Sequence, residues 1–265
     1  MSMQIKLLED QVGVALLHRT TRHVELTAEG VQLLEHAKRA LGEWEHGLRE
    51  IREAIDIQRG TLSLACVPTI AATILPQVLS KFQSSYPGIS ITLRELAAED
   101  MLDCLRRRET DFGIGPAMDG TTEFQFTPLF TDPIYALATH AYPFRKRHTV
   151  DLAELSTYPI LLNSKSAALR SMLERALAGR SLHMTIKFEV EHSHTLGALA
   201  AAGLGVGILP KVALPHPLKR NMQALPITNP ALERTVCIVS LKGRSFSPSA
   251  GALAATVHRL LKAKS

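Results

Sequence analysis

A chain of 265 residues, 46% hydrophobic and 21% charged, is long enough to bury one or two ordinary domain cores. It contains no run of roughly 18 uncharged apolar residues of the kind that spans a bilayer, and its opening MSMQIKLLED does not read as a secretory signal. The net charge of +5 is unevenly spread, at −3 over residues 1–58 and +8 over 59–265, so charge alone identifies no partner.

In chain order, residues 2–10 read as the later part of a short amphipathic helix with Ile5 and Leu8 on one side. VGVALLHR (12–19) is expected as a buried turn and strand, and the stretch through Val24 and Leu26 as a second short strand. Arg19, Arg22 and His23 cluster where the two runs join, a basic ribbon of the sort found in the wing of a winged helix-turn-helix. From Thr27, a residue type suited to an N-cap, a helix is expected to about Gln58. Leu34, Leu41, Leu48 and Ile55 recur by sevens, and Ala37, Trp44 and Ile51 repeat the period three residues out of phase. With charges between them this is the a/d seam of a coiled coil, so Leu34, Leu41, Trp44, Leu48, Ile51 and Ile55 are the expected dimer contacts.

Beyond Gly60 the pattern changes to alternating strands and helices. Strands are expected at 61–67, 89–95 and 111–115, with helices at 70–86 and 100–108 between them. That order argues for a parallel sheet with right-handed crossovers. Extended runs at 126–130 and 133–139 lead to a second series: a strand at 159–163, a helix at 166–178, a strand at 185–191, a helix at 193–202 and the glycine-rich strand GLGVGILP. Segments 224–227 and 234–242 are expected to close the second sheet, and a final helix spans about 248–261. Two successive α/β units make a two-lobe architecture like that of periplasmic binding proteins.

Several phrases together carry a family resemblance: S-x-Q-I-K-x-L-E-x-x-V-G-V-x-L-L-x-R, then R-x-V-x-L-T-A-E-G, L-P-x-x-L-x-x-F-x-x-x-Y-P-x-I, D-F-G-I-G and A-A-G-L-G-V-G-I-L-P. The chain resembles the LysR-type transcriptional regulators. The resemblance implies an α/β fold, with a two-lobe effector-binding domain preceded by a partial winged helix-turn-helix and a long coiled-coil linker helix. The segments would be 1–26, 27–58 and 59–265, the first lobe comprising about 60–132 and 240–265, the second about 133–239. Ser2, Gln4, Lys6, Arg19 and Arg22 would be the DNA-facing residues. The family's first two helices and the start of its recognition helix have no counterpart here, so promoter DNA is expected as the partner of a longer form. Self-association to a dimer or tetramer and a small-molecule effector are the other implied partners, in a cytoplasmic protein without a membrane partner.

In a two-lobe fold the ligand lies where strand ends meet helix N-termini, whose free N–H groups favour an anion. Pro68-Thr69, Asn163-Ser164 and Ser193-His194 are turns of this kind, and the resemblance adds Ala97 and Gly115. His192 and His194, beside Glu191, have no distant Cys/His pair to complete a metal site. No nucleophile context of the G-x-S-x-G type occurs, so neither an enzyme nor a cofactor is expected. Cys66, Cys104 and Cys237 lack C-x-x-C spacing and read as buried reduced thiols. Arg145-Lys146-Arg147-His148 reads as a solvated loop. A solute-binding protein of a transport system is the alternative reading, disfavoured by the dimerising helix.

Overall fold

The computed structural model describes residues 2–19, 23–55, 60–144, 146–164, 168–178, 180 and 182–262. Helix α1 (Ser2–Val12) turns at Gly13, where φ of +77° favours a residue without Cβ, into an antiparallel ribbon of β1 (Leu17–Arg19) and β2 (Val24–Leu26). Glu9 ties helix to ribbon: its Oε1 accepts from the Leu16 N–H at 2.8 Å and the Leu17 N–H at 3.1 Å. The Leu16 amide is the main reason the Glu9 carboxyl lies below its ordinary value. The expected burial of this segment is limited to Leu16; Val12 and Val14 are exposed, and the ribbon packs on one further helix beside α1.

That helix is α2 (Ala28–Ile55), about 42 Å long at the usual rise per residue. Thr27 is its N-cap, accepting from the Gly30 N–H at 2.9 Å and donating to the Ala15 carbonyl at 2.8 Å. Gly30 is where ribbon and helix touch, since a Cβ there would stand 2.1 Å from the Leu16 carbonyl oxygen. Gly30→Ala is therefore expected to destabilise the ribbon by about 1–3 kcal/mol despite alanine's better helix propensity. Faster limited proteolysis within 12–26 is the readout; unchanged cleavage would mean the backbone gives way without cost.

On its outer side α2 exposes 62% of Leu41, 68% of Trp44 and 65% of Ile51. Leu34 is also exposed and Leu48 half-buried, while the side chain of Ile55 lies outside the described residues. At its middle α2 meets the turn after α5 (Ala98–Arg106): a Cβ on Gly42 would lie 3.0 Å from the Cβ and carbonyl oxygen of Arg108. Arg107 stands 4.0 Å from Glu35, and Arg108, in the left-handed region at φ +60°, pairs with Glu43.

The first lobe is built from β3 (Thr61–Cys66), α3 (Pro68–Ala71), α4 (Leu75–Ser85), β4 (Ser90–Glu95), α5 and β5 (Phe112–Pro116). β3 lies between β4 and β5, parallel to both, so it is buried on both faces rather than alternating. The single helix expected over 70–86 is two. Pro76 stands in the first turn of α4, where its missing N–H is harmless, but it cannot bond back to a preceding turn.

β6 (Phe124–Thr139) runs as one strand where two were expected. Pro133 lacks an N–H at the point where β6 changes partners, from β12 before it to β10 and β11 after it. β7 (Val150–Asp151) and α6 (Leu152–Leu155) follow. The second lobe then repeats the first lobe's order: β8 (Ile160–Asn163), α7 (Ala168–Ala178), β9 (Ile186–Val190), α8 (Ser193–Ala201) and β10 (Val206–Pro210). β8 lies parallel between β9 and β10 as β3 does between β4 and β5.

A 3-10 turn at Lys211–Ala213, β11 (Met222–Thr228), β12 (Glu233–Leu241) and α9 (Pro248–Lys262) complete the chain. β12 does not close the second sheet as expected. It pairs with β5 and the first half of β6, which groups residues from 233 with the first lobe. Each lobe has its own core, Phe82, Phe112, Leu253 and Val257 in one, Phe144, Leu152, Ile160 and Ile208 in the other.

Candidate functional site

The carboxyl ends of the parallel strands in both lobes face one cavity of about 1040 Å³. Its walls begin with helix starts. α5 follows Ala97 and α8 follows His192, both extended N-cap residues, and neither cap makes a side-chain hydrogen bond. The first intrahelical bonds are Met101 N–H to Ala97 and Leu196 N–H to His192, which leaves the amides before them free of helical acceptors. Two positive helix ends thus converge from opposite lobes.

Of the expected contacts, Pro68, Thr69, Ala97, Asn163, Ser193 and His194 line the cavity. Gly115 and Ser164 do not. A Cβ on Gly115 would lie 2.8 Å from Met101 Cε, so this glycine admits α5 onto the sheet, while its neighbour Pro116 reaches the cavity. Ser164 turns back, its backbone N–H donating to the Val190 carbonyl and its hydroxyl donating to the Glu191 carboxylate at 3.1 Å.

Sequence reading missed Arg234. It lines the cavity from β12, directly across the ladder from Asp132 on β6. Its Nε and Nη2 donate to Asp132 Oδ2 at 3.0 and 2.9 Å, and Nη2 also donates to the Thr69 hydroxyl at 2.9 Å. The other Asp132 oxygen accepts the Val212 N–H at 3.2 Å. Arg234 is 9% exposed and Asp132 1%, and the pair sits where β6 passes from one lobe to the other. Burial pushes the guanidinium below its ordinary value, and the facing Asp132 carboxylate pulls it back. Nη1 has no protein partner among the described residues. The one available signal was R-T-V-C-I-V, a charge opening an otherwise apolar strand.

Among the described residues no group of three or more His, Cys, Asp or Glu is arranged to hold a metal. His192 and His194 share the mouth of α8 instead. All three cysteines are free and buried, and desolvation raises the thiols of Cys66, Cys104 and Cys237 above the ordinary value. In the basic run Arg147 pairs with Glu154, and Arg145 lies outside the described residues. At the other end of the chain, Ser2 opens α1, Gln4 and Lys6 are exposed on it, and Arg19 on β1 is held 3.5 Å from Glu9. Arg22 lies outside the described residues.

Comparison with known proteins places this geometry. Residues 56–262 match the LysR substrate binding domain, and residues 1–31 match the bacterial regulatory helix-turn-helix protein model of the lysR family. The HTH-type transcriptional regulator YbhD of Escherichia coli K12 is 31% identical over 250 residues, covering 94% of this chain and 79% of the relative. A full-length OxyR variant from Pseudomonas aeruginosa superposes with a TM-score of 0.75 at 25% identity, over 97% of this chain and 87% of that one. The effector binding domain of QuiR in complex with shikimate shares the fold, with a TM-score of 0.70 at 22% identity over 77% of this chain and 98% of that one. A DNA-binding module ahead of a two-lobe domain sets the chain apart from a transport solute-binding protein. It belongs to the LysR family of transcriptional regulators, whose members bind promoter DNA and respond to small-molecule effectors.

Proposed function

We propose that the cavity between the lobes is the effector site of a cytoplasmic regulator, and that it takes a small molecule bearing a carboxylate. The convergence of two uncapped helix starts and a buried arginine with a free Nη1 on one cavity carries this reading. Thr69 already accepts from Arg234, so its own O–H proton is available to a ligand oxygen. Asn163, Ser193 and His194 close the site from the second lobe, with Pro68 and Ala97 shaping the first. The solved QuiR domain with shikimate shows the same fold holding such an acid.

Residues 1–26 act as the winged DNA-contacting segment, with Ser2, Gln4, Lys6, Arg19 and Arg22 toward the duplex. Residues 27–58 pair two subunits, and 59–265 sense the effector. An effector that prefers one arrangement of the lobes shifts the population toward it and so resets the spacing of the DNA-binding segments. No catalytic role is assigned.

A thermal-shift screen of small organic acids, shikimate included, followed by calorimetry, tests the site. Thr69→Val keeps the shape and removes the hydroxyl, and is expected to weaken a hit by about two- to tenfold, the worth of one neutral hydrogen bond. Identical affinity in the variant would take Thr69 out of the site.

A further inference from the structure

The cavity wall carries charges that a simple acid does not satisfy. Glu95, Asp100 and Glu191 all line it, against Lys219 and Arg234. Arg234 is already matched by Asp132, and among the described residues none of the three lining carboxylates is in an ion pair. Glu95 and Glu191 stand at equivalent places in the two lobes. One ends the edge strand β4 just before α5, and the other follows the edge strand β9 just before α8. Each uncapped helix start is thus flanked by an acid from its own lobe.

A second observation comes from Asn163, 6% exposed and lining the cavity. Its Nδ2 donates to the Glu191 carbonyl at 3.3 Å, which fixes the amide's orientation. Its Oδ1 has no partner among the described residues. An acceptor left open on the cavity wall, on the residue that also bonds the Glu191 backbone, offers a place for a donor from the ligand. A molecule that only accepts hydrogen bonds would leave Asn163 unsatisfied and face uncompensated like charge.

We infer that the effector is amphoteric, an α-amino acid type of molecule whose carboxylate meets the helix starts and Arg234 Nη1 and whose ammonium meets Glu191 and Asn163 Oδ1, with Glu95 opposite. The inference rests on the cavity being the effector site and names the chemistry that site selects. An α-amino acid head carries both charges on one carbon, which suits a wall where each helix start is flanked by an acid.

The test uses the whole chain and the twenty L-amino acids, each beside its deaminated counterpart, such as L-glutamate beside glutarate and L-phenylalanine beside 3-phenylpropionate. Shikimate serves as an acid whose donors are uncharged hydroxyls. Binding is followed by calorimetry on native protein, Glu191→Gln and Glu95→Gln. Both substitutions keep size and hydrogen bonding at exposed positions, and unchanged melting curves without ligand check the fold. At least one amino acid is expected to bind ten times or more tightly than its deaminated partner, with the gap shrinking to about threefold or less in Glu191→Gln. Deaminated acids or shikimate binding as well as any amino acid would overturn the amphoteric inference and leave the carboxylate site standing. Saturable binding by none of these probes would overturn both.

Discussion

Arg234→Met will lower the melting temperature by about 6–20 °C. The substitution leaves Asp132, 1% exposed, without its cation, and breaking a buried pair in this way costs about 3–5 kcal/mol. A domain of this size loses about 2–4 °C per kcal/mol. Replacing both partners, Asp132→Leu with Arg234→Met, should recover most of the loss, because no charge is then stranded. The double variant should still bind effector at least about tenfold more weakly by calorimetry, since the free Nη1 has gone and a charge-assisted bond is worth about 1.5–3 kcal/mol. Thermal melts of the three proteins decide the matter. A single variant as stable as the parent would show that Asp132 is paired otherwise in solution.

The other large effect lies on α2. Leu41→Glu combined with Leu48→Glu will convert the assembly to smaller particles. Trp44 and Ile51 are more than half exposed on the isolated chain, as Leu41 is, and a narrow a/d stripe that leaves such side chains wet calls for a partner helix. A seam leucine buried from full exposure contributes about 1.5–3 kcal/mol, and Leu48, already half-buried, about half that. With two of each in a dimer, the dissociation constant should rise by at least about three powers of ten. Sedimentation velocity is the measurement, and a fall from tetramer to dimer supports the seam as fully as a fall to monomer. Particles of unchanged size would place the interface elsewhere.

Local pattern was enough for the helix at 28–55, for most strands and for five of the cavity residues, Ala97 having come from the family resemblance. In each case the signal lies within a few neighbouring positions: a seven-residue period, an apolar run, or a short polar turn before a helix. What local pattern could not carry was pairing. Arg234 and Asp132 are 102 residues apart, and only the ladder between β6 and β12 makes them neighbours. The same ladder explains why β12 belongs to the first lobe and why Pro133 marks a change of partner rather than a strand end. Gly115 entered the expected contacts through the family resemblance alone. The space its missing side chain provides is filled by Met101 of α5, a fact of packing between two elements. Ser164 failed for a related reason, because Glu191 competes for its hydroxyl from the neighbouring strand end.

α5 has one further consequence. Its first residues stand in the cavity wall, and the turn at its other end presses Arg108 against Gly42 of the linker helix, with Arg107 reaching Glu35. The helix is nine residues long, about 13 Å, and is clamped to the sheet by the fully buried Met101. A ligand that pulls on the first turn of so short a strut is expected to displace its last turn as well. Within a single subunit, the wall of the proposed effector cavity and the linker helix are joined through one short helix. Gly42→Ala, which crowds that joint, should alter the response to effector while leaving the affinity of the isolated cavity little changed.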